Sequence, residues 1–116
     1  MKVSSTKARA ATIAMVELAN RQGKEDLVSL SDLATLQHKS LSYLEPLFKK
    51  LKAAGLVESQ RGPGGGYRTK DTKTITAAAI ITAITGDEVD PDPIWSELSG
   101  RVCNDLSKVT LFDLSR

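Results

Sequence analysis

Ala11, Ala14, Met15 and Leu18 follow the i, i+3, i+4, i+7 spacing that lines up apolar side chains along one face of a helix. Ser4 or Ser5 stands where a cap belongs, so the pattern predicts a first helix running to about Gln22 and ended by Gly23. Ser29 and Asp32 form a capping-box-like start for a short second helix carrying Leu30, Leu33 and Ala34. Gln37, His38 and Lys39 then break the pattern, and Ser40 and Ser42 offer fresh caps. The third pattern is the clearest. Leu44, Leu47, Phe48 and Leu51 repeat the same spacing, Ser42 and Glu45 make another capping box, and Gly55 sits at the C-terminal end. Two helices joined by so short a polar turn match the helix-turn-helix unit.

The period then changes. Leu56 to Gln60 reads as a strand and Tyr67 to Thr69 as its return, around the loop Arg61-Gly62-Pro63-Gly64-Gly65-Gly66. Glycines let such a loop turn sharply and approach another surface closely, because they carry no Cβ. Thr76 caps a fourth helix, Ala77 to Thr85, stopped by Gly86. After an acidic connector, Asp92-Pro93 pairs a side-chain cap with proline at the first helical position. The fifth helix runs to about Lys108 with Ile94, Leu98, Val102 and Leu106 spaced by four and Trp95 beside them, and Thr110 begins a last turn through Leu114. The expected fold is mainly α: a winged helix-turn-helix with a two-stranded wing plus a long C-terminal dimerisation helix. Residues 1–86 are expected to form the winged-helix domain, 87–93 the connector, and 94–116 the long helix and terminal turn.

Composition narrows the classes of function. The chain shows no internal repeat, and its longest mainly apolar run, Ala77 to Ile84, is far too short to span a bilayer. Lys2 has no apolar signal core behind it, so a cytoplasmic location with no membrane partner is expected. The net charge of +2 hides an asymmetry: Met1 to Lys73 holds 13 Lys/Arg against 7 Asp/Glu, whereas the remainder holds 3 against 7. The basic part fits a polyanion, or simply a solvated surface. Cys103 is the single cysteine, which rules out an internal disulfide framework and a thiolate-rich zinc or iron–sulfur site within one chain. His38, the single histidine, reads as a surface polar residue of the turn, and with no discernible nucleophile–base pair an enzyme is not expected. Cys103 reads as a small hydrophobe, with redox sensing as the alternative. The glycine loop lacks the spacing of a dinucleotide fingerprint and the Gly-Lys-Ser/Thr ending of a phosphate loop.

Opposite its Leu/Phe stripe, the third helix carries Ser42, Pro46, Lys49 and Ala53, flanked by Glu45 and Lys50. In a helix-turn-helix this face enters the major groove. Glu45 would accept from cytosine N4, Ser42 would bond several bases, and Lys49 and Lys50 would hold phosphates. The alternative is a cap with a solvated charged face. Arg61, with Gly64 and Gly65 at the wing tip, suits a narrow minor groove, and Lys7, Arg9 and Arg68 are candidate phosphate contacts. Trp95, Leu98, Val102 and Leu106 make an apolar stripe that fits either a dimer interface or packing within the chain.

Ser40-Leu41-Ser42-Tyr43-Leu44-Glu45, Leu51 to Val57 (LKAAGLV) and Arg61 to Arg68 (RGPGGGYR) together resemble the Rrf family of bacterial winged-helix transcription regulators, especially its iron–sulfur cluster assembly branch. The resemblance extends from Lys2 to about Gly86, and Ile94 to Leu114 looks like the family's dimerisation helix and final turn. It implies a homodimer on a partly palindromic double-stranded operator, acting as repressor or dual regulator. Ser42, Tyr43 and Glu45 would occupy base-reading positions, and Arg61 would enter the minor groove. Family sensors commonly bind a 2Fe-2S cluster through three cysteines and another ligand between the fourth and long helices. Here Asp87 to Pro93 contains neither Cys nor His, so no cofactor is expected for this chain. The alternatives are a cluster-dependent sensor whose ligand loop is missing from this chain, and a winged helix that binds protein instead of DNA. Ala8 and Ala10 depart from the Gly and Tyr common in the family, and Pro46 alters the DNA-facing surface.

Overall fold

A computed structural model describes residues 1–21, 27–86, 88 and 90–115. The expected end of the first helix at Gln22 and Gly23, and the connector positions Asp87 and Val89, lie outside the described residues. In chain order the elements are α1 (Thr6–Arg21), α2 (Leu30–Leu36), α3 (Leu41–Ala53), β1 (Val57–Gln60), β2 (Gly66–Thr69), α4 (Ala77–Thr85), α5 (Pro93–Leu106) and α6 (Leu111–Leu114). The mainly α winged helix with a two-stranded antiparallel sheet is present as expected.

Each helix begins at a side chain suited to it. Ser5 Oγ accepts from Ala8 N, Ser29 from Asp32 N, Ser40 from Tyr43 N and Thr76 from Ala79 N. One expectation is corrected here: α3 is capped by Ser40, while Ser42 lies inside the helix with its hydroxyl 3.1 Å from that of Ser40. The cap falls earlier because His38 takes a left-handed turn, φ +54, and Lys39 N–H returns to Ala34 C=O at 3.0 Å. Pro46 therefore sits more than a turn inside α3, where it withholds the amide that Ser42 C=O would accept. The C-terminus of α3 closes with Gly55 at φ +78, Leu56 N–H to Leu51 C=O at 3.0 Å and Gly55 N–H to Lys52 C=O at 3.0 Å, the two bonds of a Schellman ending.

The apolar faces of α1, α2, α3 and α4 meet in one core in which Met15, Leu18, Leu33, Leu44, Phe48, Leu51 and Ile80 are fully buried. The hairpin covers its side through Val57, with Val57↔Thr69 and Glu58↔Arg68 in register. A third backbone segment, which the sequence pattern did not reveal, joins the hairpin: Val28 N–H donates to Tyr67 C=O at 2.9 Å, and Tyr67 N–H to Val28 C=O at 2.8 Å.

The C-terminal segment leaves the body and comes back to it. Ala77 N–H donates to Val109 C=O at 2.8 Å, Leu111 N–H to Ile75 C=O at 2.7 Å, and Leu111 is fully buried in the core. Between these anchors α5 buries none of its own residues. No described helix is long and apolar enough to cross a membrane.

Candidate nucleic-acid interface

α3 turns its Leu44, Leu47, Phe48 and Leu51 stripe into the core, which leaves Ser42, Glu45, Pro46 and Lys49 exposed on the opposite side. Ala53, the fourth residue that sequence reasoning put on this face with Ser42, Pro46 and Lys49, is exposed as well, and Glu45 is the exposed flank. Tyr43 stands apart from them. Its ring is half-buried against the core, and Lys39 Nζ lies 5.1 Å from its centroid, within cation–π range. Lys50 also points elsewhere: its Nζ donates to Ile84 C=O at 3.2 Å, at the C-terminal end of α4, where a cation offsets the negative end of the helix dipole.

The wing places Arg61 at the exposed start of its loop. Gly64, at φ +74, faces open space, so its conformation rather than its surroundings calls for glycine. Gly65 and Gly66 are crowded by the protein's own backbone. A Cβ on Gly65 would lie within 2.2 Å of Gln60 O, and one on Gly66 within 2.4 Å of Val28 O. The glycine run was expected to permit close approach to another surface. For these two residues the surface approached is the chain itself.

Along the hairpin, Glu58 gathers two cations: Lys70 Nζ to Oε1 at 2.7 Å and Arg68 Nε to Oε2 at 2.9 Å. The Lys70 hydrogen bond foremost, then that of Arg68, holds the Glu58 carboxyl below the ordinary carboxylate range. Arg68 is thereby paired within the chain, on an exposed surface where such pairs exchange readily. Lys52 reaches the same strand through Ser59 Oγ at 2.7 Å. Lys7 and Arg9 are exposed at the start of α1.

On α5, Trp95, Leu98 and Val102 are 49%, 45% and 39% exposed, with Ile94 at 72%. Packing within the chain does not cover them. Leu106, the fourth member of the expected stripe, is different: it packs against the core. Cys103 is partly buried on the same helix.

Known proteins share this arrangement. The Rrf2 family, described as an iron-dependent transcriptional regulator, matches residues 4–93. The HTH-type transcriptional regulator IscR of Serratia proteamaculans (strain 568) is 38% identical over 127 residues, spanning 95% of this chain and 77% of that protein. IscR of Vibrio vulnificus (strain YJ016) is 39% identical over 131 residues, spanning 98% and 77%. Both alignments exceed the 116 residues of this chain, so these relatives carry residues with no counterpart here. Among solved structures, CymR, the global cysteine regulator of B. subtilis, superposes with a TM-score of 0.82 at 36% identity, covering 99% of this chain and 97% of that one. IscR of T. potens gives 0.80 at 34% identity, covering 98% and 85%. A helix-turn-helix followed by a hairpin wing, in a chain with these relatives, places the protein in the Rrf2 family as a DNA-binding transcription regulator and not an enzyme.

Proposed function

We propose that the chain acts as a cytoplasmic homodimer, a repressor or dual regulator, on a partly palindromic operator. The observation that carries this reading is the shared exposure of the α3 face and Arg61, on elements joined through the body. Ser42 and Glu45 read base edges in the major groove while Lys49 holds phosphate. Tyr43 supports the readout from its half-buried position, and Lys50 fixes α3 to α4 before reaching any phosphate. Arg61 enters the minor groove, carried by the turn that Gly64 and Gly65 permit. Lys7, Arg9 and Arg68 anchor the backbone of the duplex. The exposed face of Trp95, Leu98 and Val102 pairs with a second copy, since major-groove binding by one short helix is usually doubled by a two-fold partner. Residues 1–86 supply the reading surface and 94–106 the pairing surface.

This regulator works without an iron–sulfur cluster of its own. The chain has one cysteine and one histidine, on α5 and in the turn before α3, and the only ligating side chains of the connector are carboxylates. Among the described residues no three His, Cys, Asp or Glu gather where a metal ion would fit. Thiolate ligation of a cluster does not match that donor set. The second reading, a cluster-dependent sensor, draws on the family's iron-dependent description and on the additional residues of the relatives.

A DNA titration against the gene's own upstream region tests the first reading. With about three or four phosphates neutralised per protomer, log affinity falls with log salt at a slope of about −5 to −7 per dimer. Arg61→Ala costs about 1–3 kcal/mol on the specific site and much less on random DNA. Equal affinity of the variant on every operator sinks the wing assignment. Visible absorbance with bound iron and sulfide, in protein purified without oxygen, turns the choice to the second reading.

A further inference from the structure

On the body of the molecule, residues 1–86, the large apolar side chains exposed among the described residues are Leu36 and Leu41. They flank the turn between α2 and α3. Leu41 is the first residue of α3, 41% exposed, and lies one helical turn before Glu45. Leu41, Glu45 and Lys49 line a groove of about 480 Å³ together with Leu30, Ser31 and Tyr67. Leu41 thus leaves a large apolar surface open to water beside a carboxylate and an ammonium. Its neighbours indicate what would lie against it. Lys49 draws a polyanion toward the groove, and Glu45 accepts from an exocyclic amine. On the edges of the major groove the apolar group is the C5-methyl of thymine.

We propose that Leu41 is a specificity-determining residue that packs on a thymine methyl beside the base pair contacted by Glu45. The inference rests on α3 being the recognition helix. Four residues rise about 6 Å along a helix, against about 3.4 Å per base pair. The thymine therefore lies one or two base pairs from the cytosine that Glu45 reads. The leucine adds a methyl contact beside Glu45 and Lys49, and so separates thymine from every base lacking that group.

The test removes only the methyl. In the operator fragment protected by the full-length protein, each thymine of the half-site is replaced singly by uracil, and binding is titrated for the wild type, Leu41→Ala, Glu45→Ala and Arg61→Ala. The wild type is expected to lose about fourfold in affinity per half-site at one thymine. Leu41→Ala, folded by circular dichroism, binds the thymine and uracil operators equally, while Glu45→Ala still distinguishes them. A wild type indifferent to every uracil, or a Leu41→Ala protein that still prefers thymine, overturns the inference. If Glu45→Ala and Arg61→Ala weaken specific binding in that case, only the leucine assignment falls. If they too bind as the wild type does, the recognition-helix reading falls with it.

Discussion

The ring of Tyr67, on the return strand of the wing, meets the ring of Phe48, on the inner face of α3, edge to face at 4.9 Å and 64°. Both backbone polar groups of Tyr67 are bonded to Val28. The strand that supports the wing is therefore joined to the recognition helix by side chain and to the segment before α2 by backbone. If α3 and the wing both face DNA, as proposed, these contacts set their relative placement.

Tyr67→Ala removes the ring contact and leaves the backbone pairing in place. For a half-buried aromatic, the expected loss is about 1–3 kcal/mol in urea unfolding. Affinity for the operator should fall about as far as with Arg61→Ala, although Tyr67 carries no charge to offer DNA. Tyr67→Phe keeps the ring and should stay within about 0.5 kcal/mol of wild type. Unchanged operator binding by the alanine variant would show that the wing is oriented by other contacts.

Gly66→Ala places a methyl within 2.4 Å of Val28 O and 2.7 Å of Val28 C, both backbone atoms. The Val28–Tyr67 bridge must open, and the expected loss is about 2–4 kcal/mol. Gly64→Ala meets no neighbour but strains a φ of +74, which costs about 1 kcal/mol. Thermal unfolding of the two variants should rank them in that order. A reversed order would place the crowding elsewhere in the loop.

Glu58 titrates below an ordinary carboxyl because Lys70 and Arg68 bond to its charged form. A folded-state pKa lowered in this way contributes stability above the unfolded value, and that contribution disappears as pH falls through the folded value. The wild type should therefore lose a small part of its stability between neutral and acid pH that Glu58→Gln never has. The same substitution releases Lys70 and Arg68 for phosphates, so non-specific DNA binding at pH 7 should tighten and its salt slope steepen by about 1–2 per protomer. A slope unaltered by Glu58→Gln would mean that this edge of the hairpin stays away from the duplex.

Leu98→Glu puts a charge in the centre of the exposed α5 face. Leu98 is 45% exposed, and α5 buries none of its residues, so the protomer should keep its helical circular dichroism. Light scattering should report a monomer, with operator affinity reduced by at least about tenfold through loss of the second half-site. A dimeric Leu98→Glu protein would put the two-fold contact on another surface.

The sequence showed most clearly what depends on local periodicity. The stripe of α3, the Thr76 cap of α4 and the Asp92-Pro93 start of α5 each carry their own pattern, and each element is found there. What escaped was long-range or non-periodic. A single-residue bridge such as Val28 has no repeat, and the bond from Lys50 to Ile84 joins residues 34 apart in sequence. Ser40 and Ser42 both satisfied the rules for a cap, and only the left-handed turn at His38 decides between them. The four-residue spacing on α5 does not keep its residues on one face. Each such step turns about 40° around a helix of 3.6 residues per turn, so Leu106 comes to face about 120° from Ile94 and reaches the core.

The anchoring of Leu111 has a consequence for how the protein melts. Its side chain fills the same core as Met15 and Leu18, and its amide is held by Ile75, just before α4. The chain runs from Ala77 through α4 in the core, out along α5 and back, and the bond of Ala77 to Val109 closes this circuit on the body. α5 is therefore not a detachable appendage of the body. A chain ending at Gly86 would expose a wall of its own core. The body and α5 are expected to melt in a single cooperative transition, and whatever loosens the circuit should loosen both.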